Sequence, residues 1–221
     1  FLGLKWTKAK HAAKARNLLN FIERFNIVSN WVTAEIVSEP SLRLRSKVMT
    51  YMIKLGSAFA EMGNYSGVMA VIVGLNNAAV SRLKFTKVKV PRRFKKQLAG
   101  LESLMDMSGS FKTYRAKLAA AAQAVPYVGV FLTDLVFVED GNPDYVEGEG
   151  GVSMVNVEKV VMVHRIVSQI VHFRERPYNF HIVEAVQAYL DRGEGLVDES
   201  ELFRRSLAVE PRGKERDELV P

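Results

Sequence analysis

Apolar residues recur at intervals of three and four along almost the whole chain, and this helical period limits the possible folds more than any other feature. Leu18, Ile22, Phe25, Val28 and Val32 share one face, with Trp31 beside it. Leu44, Val48, Met52, Leu55, Phe59 and Met62 form a second stripe, ended by Gly63, after which Asn64 is placed to cap a helix through Tyr65, Val68, Met69 and Ile72. Further stripes run through Phe94, Leu98, Leu101 and Met105, then through Phe111, Tyr114, Leu118 and Ala121. Ile182, Val186 and Leu190 mark a short helix, and Asp198 with Glu201 resembles a capping box before Leu202 and Leu207. Period-two alternation is nearly missing. The expected class is all-α.

Two neighbouring segments depart from a simple amphipathic pattern. PYVGVFLTDLVFVEDGNPDY, residues 126 to 145, is apolar until it ends in Glu139 and Asp140. Acid there opposes the helix macrodipole, a small cost that fits a solvated end as well as a functional one. From Val155 to Phe173 the valines and isoleucines spread around more than one face. Their β-branching makes a buried strand the rival reading, while the length favours a helix that is either buried or offers a face to a partner. DYVEGEGGVS between them, with Gly148, Gly150 and Gly151, reads as a flexible turn, so the pair forms a hairpin.

Chemistry is harder to place. The absence of cysteine excludes disulfides, thiolate zinc and cysteine nucleophiles, and fits a reducing compartment. The four histidines lack metal-ligand spacing, with His164 and His172 expected as partly buried or surface helix residues. Nucleophile elbows and nucleotide-binding fingerprints are missing. Glu139 and Asp140, as helix neighbours, point about 100° apart and do not converge on one substrate atom. No run approaches the roughly 18 apolar residues of a membrane span, and the N-terminus has no signal-peptide pattern and reads as a chain entered partway. Charge is divided: residues 1–125 carry 21 Lys and Arg against 6 Asp and Glu, and residues 126–221 carry 10 against 18. The densest basic run, RLKFTKVKVPRRFKK at 82–96, suits a solvated loop and helix start, or alternatively an anionic lipid or phosphate surface. Phe85 and Phe94 are too few for base stacking, so no nucleic-acid partner is expected.

FLTDLVFVEDGNP, read with MVNVEK at 154–159, resembles the catalytic domain of Ras-family guanine nucleotide exchange factors, the RasGEF domain. FIERFNIVSNWV (21–32), GLNNAAVSRLKFT (74–86), YRAKL (114–118) and SLAVEPR (206–212) follow that family's order. The resemblance implies an irregular helical bowl with a protruding helical hairpin, here about 126–172, made of helices at about 126–140 and 153–172. It also implies one catalytic domain over 1–221, without the family's first helical segment and forming part of a larger multidomain protein. The implied function is release of GDP from a Ras, Rap or Ral type GTPase, with GTP loading, by insertion of the hairpin between the switches. No covalent chemistry, cofactor or metal ligand belongs to that reading. An exchange-deficient GTPase-binding or scaffold module is the alternative. A cytoplasmic protein recruited to membranes is the implied location.

Position by position, the resemblance puts Val136 near the partner's Mg²⁺ site and Asp140 in its phosphate site, with Tyr127 packing at the hairpin base and Thr133 facing the GTPase. Arg45, Asn76, Phe111, Glu139 and Met162 are the further expected GTPase contacts, while Arg82, Leu83 and Arg212 are expected to hold the scaffold and Trp31 to be core or rim. Four positions depart from the family pattern: Asp140 is a methylene shorter than the usual Glu, Val157 stands for a Phe expected to pack the hairpin, Lys87 replaces a common aromatic, and Met162 stands where some members present Lys to the GTPase. FKKQLAGLESLMD and onward leans towards Rap-type members, and GVFLTDLVFVEDGNP towards Ras-type ones.

Overall fold

The stripes become eleven α-helices among the described residues of a computed structural model, which covers residue 4, residue 6, residues 8–190 and residues 197–220. In order they are α1 (Arg16–Ser38), α2 (Leu42–Glu61), α3 (Tyr65–Asn76), α4 (Ala78–Ser81), α5 (Lys84–Lys89), α6 (Arg92–Leu104), α7 (Lys112–Ala119), α8 (Val128–Gly141), α9 (Val157–Val171), α10 (Glu184–Leu190) and α11 (Glu199–Val209). Short polar side chains start several of them by accepting otherwise unpaired amide hydrogens. Asn64 accepts from Gly67 N at 2.8 Å, Asn77 from Ala79 N at 2.9 Å and Asp198 from Glu201 N at 2.8 Å. Only half of the expected capping box at Asp198 forms, because the Glu201 carboxylate holds Arg204 and Arg205. Gly63 ends α2 at φ 73°, as its position predicts, and a Cβ there would lie 2.8 Å from Gln123 O.

Two cores share α3. Val32, Ile36, Met49, Ile53, Val71, Leu75, Leu83 and Leu202 belong to the first, which joins α1, α2, α3 and α11. Tyr65, Val68, Ile72, Leu101, Tyr114, Val130 and Phe131 belong to the second, which adds α6, α7 and the base of α8. Phe59 packs on both, and Trp31 leans on the first from its rim. At the closest approach of α1 and α3, a Cβ on Gly74 would sit 2.6 Å from Ser29 O and 2.7 Å from Val32 Cβ. Gly74→Ala is therefore expected to cost about 1–3 kcal/mol despite alanine's higher helix propensity, since the clashing atoms are backbone and a β-branched stem. A urea titration checks this; an unchanged or raised midpoint overturns it.

Several expectations are corrected. The buried face of α2 is Leu42, Arg45, Ser46, Met49, Met52, Ile53 and Gly56, while Leu44 and Met62 at the ends of the expected stripe are exposed. A charged residue occupies the core face, which is turned about the helix by roughly one residue, about 100°, from the apolar stripe. The glycine-rich turn is not structureless: β1 (Tyr145–Glu147) pairs antiparallel with β2 (Ser153–Val155), Tyr145 opposite Val155. Gly150 and Gly151 turn the ribbon at φ 75° and 74°, where side chains are disfavoured. The return segment is thus helix from Val157, as its length predicts, and not the rival buried strand, although the exposed β2 runs up to Val155 just before it. Ile182 lies ahead of α10 and is exposed. No described helix is long and apolar enough to cross a membrane.

Candidate functional site

The hairpin is anchored at its base and exposed beyond it. Tyr127 precedes α8; its N–H donates to the Tyr114 hydroxyl at 2.9 Å, and its ring stands 5.4 Å from Phe25 and 6.3 Å from Phe111. Burial pushes both tyrosine hydroxyls above their ordinary pKa, so they remain neutral hydrogen-bonding groups. Val130, Phe131, Leu132 and Leu135 turn α8 towards the second core and α9, and Ile166 and Ile170 of α9 rest on the same core. Arg115 of α7 adds a 2.8 Å ion pair to Asp134. Further out little is covered: both strands are exposed and Lys159 is the one buried residue of α9.

What remains outward on α8 is one strip. Gly129, Thr133, Val136 and Asp140 follow each other at three- and four-residue steps, and Phe137 flanks them, four residues after Thr133 and three before Asp140. Thr133 is exposed, its hydroxyl donating to Gly129 O at 3.0 Å, and Val136 is half-buried. Asp140 is exposed, and its carboxylate has no partner among the described residues. Phe137 is 70% exposed, an aromatic that the residue-by-residue expectations missed although its place four residues after Thr133 put it on the strip. An apolar group, an aromatic and a free carboxylate thus lie along one edge. Asp140 is the one charged acceptor on this edge.

The other expected contacts divide. Phe111 joins Tyr127 in the aromatic wall at the base and Met162 is partly exposed on α9. Asn76, at the end of α3, is exposed and donates to Glu102 at 3.2 Å. It borders a groove of about 320 Å³ that also includes Leu75, Lys87, Val90 and Leu98. Burial lowers the Lys87 pKa there, and Glu102 opposes that fall. Glu139 is half-buried, and its carboxylate turns inward to within 3.2 Å of Lys159 Nζ. Val157, which stands for the family's packing Phe, is 66% exposed.

Arg45 is the largest correction, because it is wholly buried and cannot touch a partner. Its Nε donates to Thr86 Oγ1 at 2.8 Å, and Nη1 to Glu39 O at 2.7 Å and Pro40 O at 2.9 Å. Glu210, from the SLAVEPR block, lies 3.6 Å from Nη2 and accepts from Thr86 N and Thr86 Oγ1. Burial pulls the guanidinium's pKa down and Glu210 holds it up. Arg82 fills the scaffold role expected of it by donating to Ser206 O at 2.7 Å and Glu210 O at 2.6 Å, and Leu83 is buried. Arg212 is exposed instead. The start of the basic run is therefore bolted to α11, and Glu210 was missed because its role needs partners far away in sequence.

Residues 1–161 match the family model described as RasGEF domain. Over 99% of its length the chain is 36% identical to Ras guanine nucleotide exchange factor A of Dictyostelium discoideum, of which it covers 38%. It is 38% identical to Ras guanine nucleotide exchange factor V of the same organism over 99% of the chain and 11% of that relative. To Ras-specific guanine nucleotide-releasing factor 1 of Mus musculus it is 31% identical over 96% of the chain and 17% of the relative. The chain spans well under half the length of each of these relatives.

Proposed function

Because this chain belongs to the RasGEF domain family, we propose that it promotes release of GDP, and so loading of GTP, on a Ras-family small GTPase. The observation that carries the reading is the unpartnered Asp140 carboxylate one turn beyond Val136 on the exposed strip of a hairpin fixed only at its base. A Ras-like GTPase holds nucleotide through Mg²⁺ and backbone N–H groups around the phosphates, and its switch segments close over both. The strip enters between the switches. Val136 brings a side chain with no metal-ligating atom to the Mg²⁺ position, and Asp140 accepts hydrogen bonds from donors the phosphate has left. Thr133 and Phe137 line the path, and Tyr127 with Phe111 receives an apolar group at the hairpin base. Asn76 and Met162 are contacts from the bowl and the return helix. No covalent bond changes. Nucleotide and this domain weaken one another's binding reciprocally.

Release of fluorescent GDP from Ras, Rap and Ral type GTPases tests the proposal, with acceleration of at least one expected. No acceleration, with binding retained, supports the second reading, an exchange-deficient GTPase-binding module, for which the shorter Asp140 is the motivating residue. The exposed lysines and arginines between Lys84 and Lys96 suit an anionic membrane surface, where lipidated GTPases reside. Co-sedimentation with vesicles that ignores their anionic lipid content overturns that part.

A further inference from the structure

Among the described residues, the hairpin holds one buried cation, and it sits where three segments meet. Lys159, in the first turn of α9, is 3% exposed. Its Nζ donates to Asp144 Oδ1 at 2.7 Å and lies 3.2 Å from Glu139 Oε1. Glu139 belongs to the last turn of α8 and Asp144 to the link that enters β1. Asn156 tightens the same point: its Oδ1 accepts from Lys159 N at 3.2 Å, its N–H donates to Asp144 O at 2.9 Å, and its Nδ2 donates to Pro143 O at 2.9 Å.

We infer that Lys159 is a positioning residue for exchange: by gripping Glu139 and Asp144 it sets the rotation and reach of the last turn of α8, and thereby where Asp140 and Val136 stand. This rests on the exchange reading proposed above. Glu139 and Asp140 are adjacent acids at a helix C-terminus, where the macrodipole disfavours both. With Glu139 held inward, its neighbour projects about 100° away on the free strip. Without the ammonium, two carboxylates and the last carbonyls of α8 are left facing one another. The turn then frays or rotates. Hydrogen bonding to Asp144, reinforced by Glu139, also holds the Lys159 pKa above its ordinary value, so the clamp is fully charged at neutral pH.

The test uses Lys159→Met, Lys159→Arg and the milder Asp144→Asn, whose carboxylate is largely exposed. Misplacing a reacting group by about 1 Å costs on the order of a hundredfold in rate, so Lys159→Met is expected to lower the kcat of exchange at least about tenfold while KM changes much less. Lys159→Arg, which spans two carboxylates with its fork of donors, is expected to restore most of kcat. Asp144→Asn falls between them. Amide hydrogen exchange is expected to speed up about tenfold over residues 138–160 in Lys159→Met, with the bowl unchanged. An unchanged kcat, a loss confined to KM, or a loss accompanied by faster exchange throughout the bowl overturns the inference. If the unaltered domain accelerates no GTPase, the exchange reading fails and the positioning role with it. Unchanged hydrogen exchange in Lys159→Met, whatever the GTPase result, overturns the clamp itself.

Discussion

Arg45→Met is expected to lower the unfolding free energy by about 3–5 kcal/mol, because it leaves Glu210 as an uncompensated buried charge. For a chain of this size that is a fall in Tm of roughly 6–20 °C. The backbone carbonyls of Glu39 and Pro40 lose their donor as well. A second change, Glu210→Gln, removes the stranded charge yet keeps an oxygen for Thr86, so the double variant is expected to recover a substantial part of the loss. Calorimetry or urea unfolding of the two singles and the double measures this coupling. A stability loss under about 1 kcal/mol, accompanied by weaker GTPase binding, would instead return Arg45 to the surface role that its sequence position suggested.

Asp140→Ala is expected to reduce nucleotide exchange 10- to 100-fold, equivalent to the roughly 1.5–3 kcal/mol of hydrogen bonds to a charged acceptor. Its effect on the fold has the opposite sign. Asp140 has no partner among the described residues and sits at the C-terminus of α8, so removing its charge relieves an unfavourable dipole contact and leaves stability unchanged or raised by about 0.3–1 kcal/mol. Exchange lost while stability is kept is a signature that a scaffold residue does not give. Asp140→Glu restores the methylene that the family pattern carries and is expected to retain or improve exchange. Stopped-flow release of fluorescent GDP checks both, and an Asp140→Ala rate within twofold of the unaltered domain removes Asp140 from the mechanism.

These two residues also mark how far the sequence carried. The hairpin was legible because Pro126 precedes its helix α8 and Gly141-Asn142-Pro143 ends it, and because its motif order resembles a known family. Asp140 was singled out by the resemblance alone, since an acid ending an apolar helix suits a solvated end equally well. Arg45 was not, since its burial depends on Glu210 at the far end of the chain, and apolar periodicity counts a charge as surface. Its spacing from Leu42, Met49 and Met52 was the available signal, one cation on an otherwise uncharged helical face. The ion pair of Glu139 with Lys159 was missed for the same reason, since its two residues come from different helices of the hairpin. The small ribbon escaped because all six of its residues are exposed, so no alternation of burial was imposed on them.

The tie between α11 and the middle of the chain sets an order of events during synthesis. Arg82 reaches Ser206 and Glu210, Arg45 reaches Val209, and the N–H of Leu42 donates to Val220 O at 2.8 Å. Contacts between residues so far apart close late, because the intervening loop must first be ordered. On a ribosome the chain emerges N-terminus first, so the helices through α10 are out while Arg45 and Thr86 still await Glu210. The nascent bowl therefore carries an open polar seam until its last helix arrives, and a chain stopped ahead of Glu199 should dwell on chaperones and be cleaved near that seam.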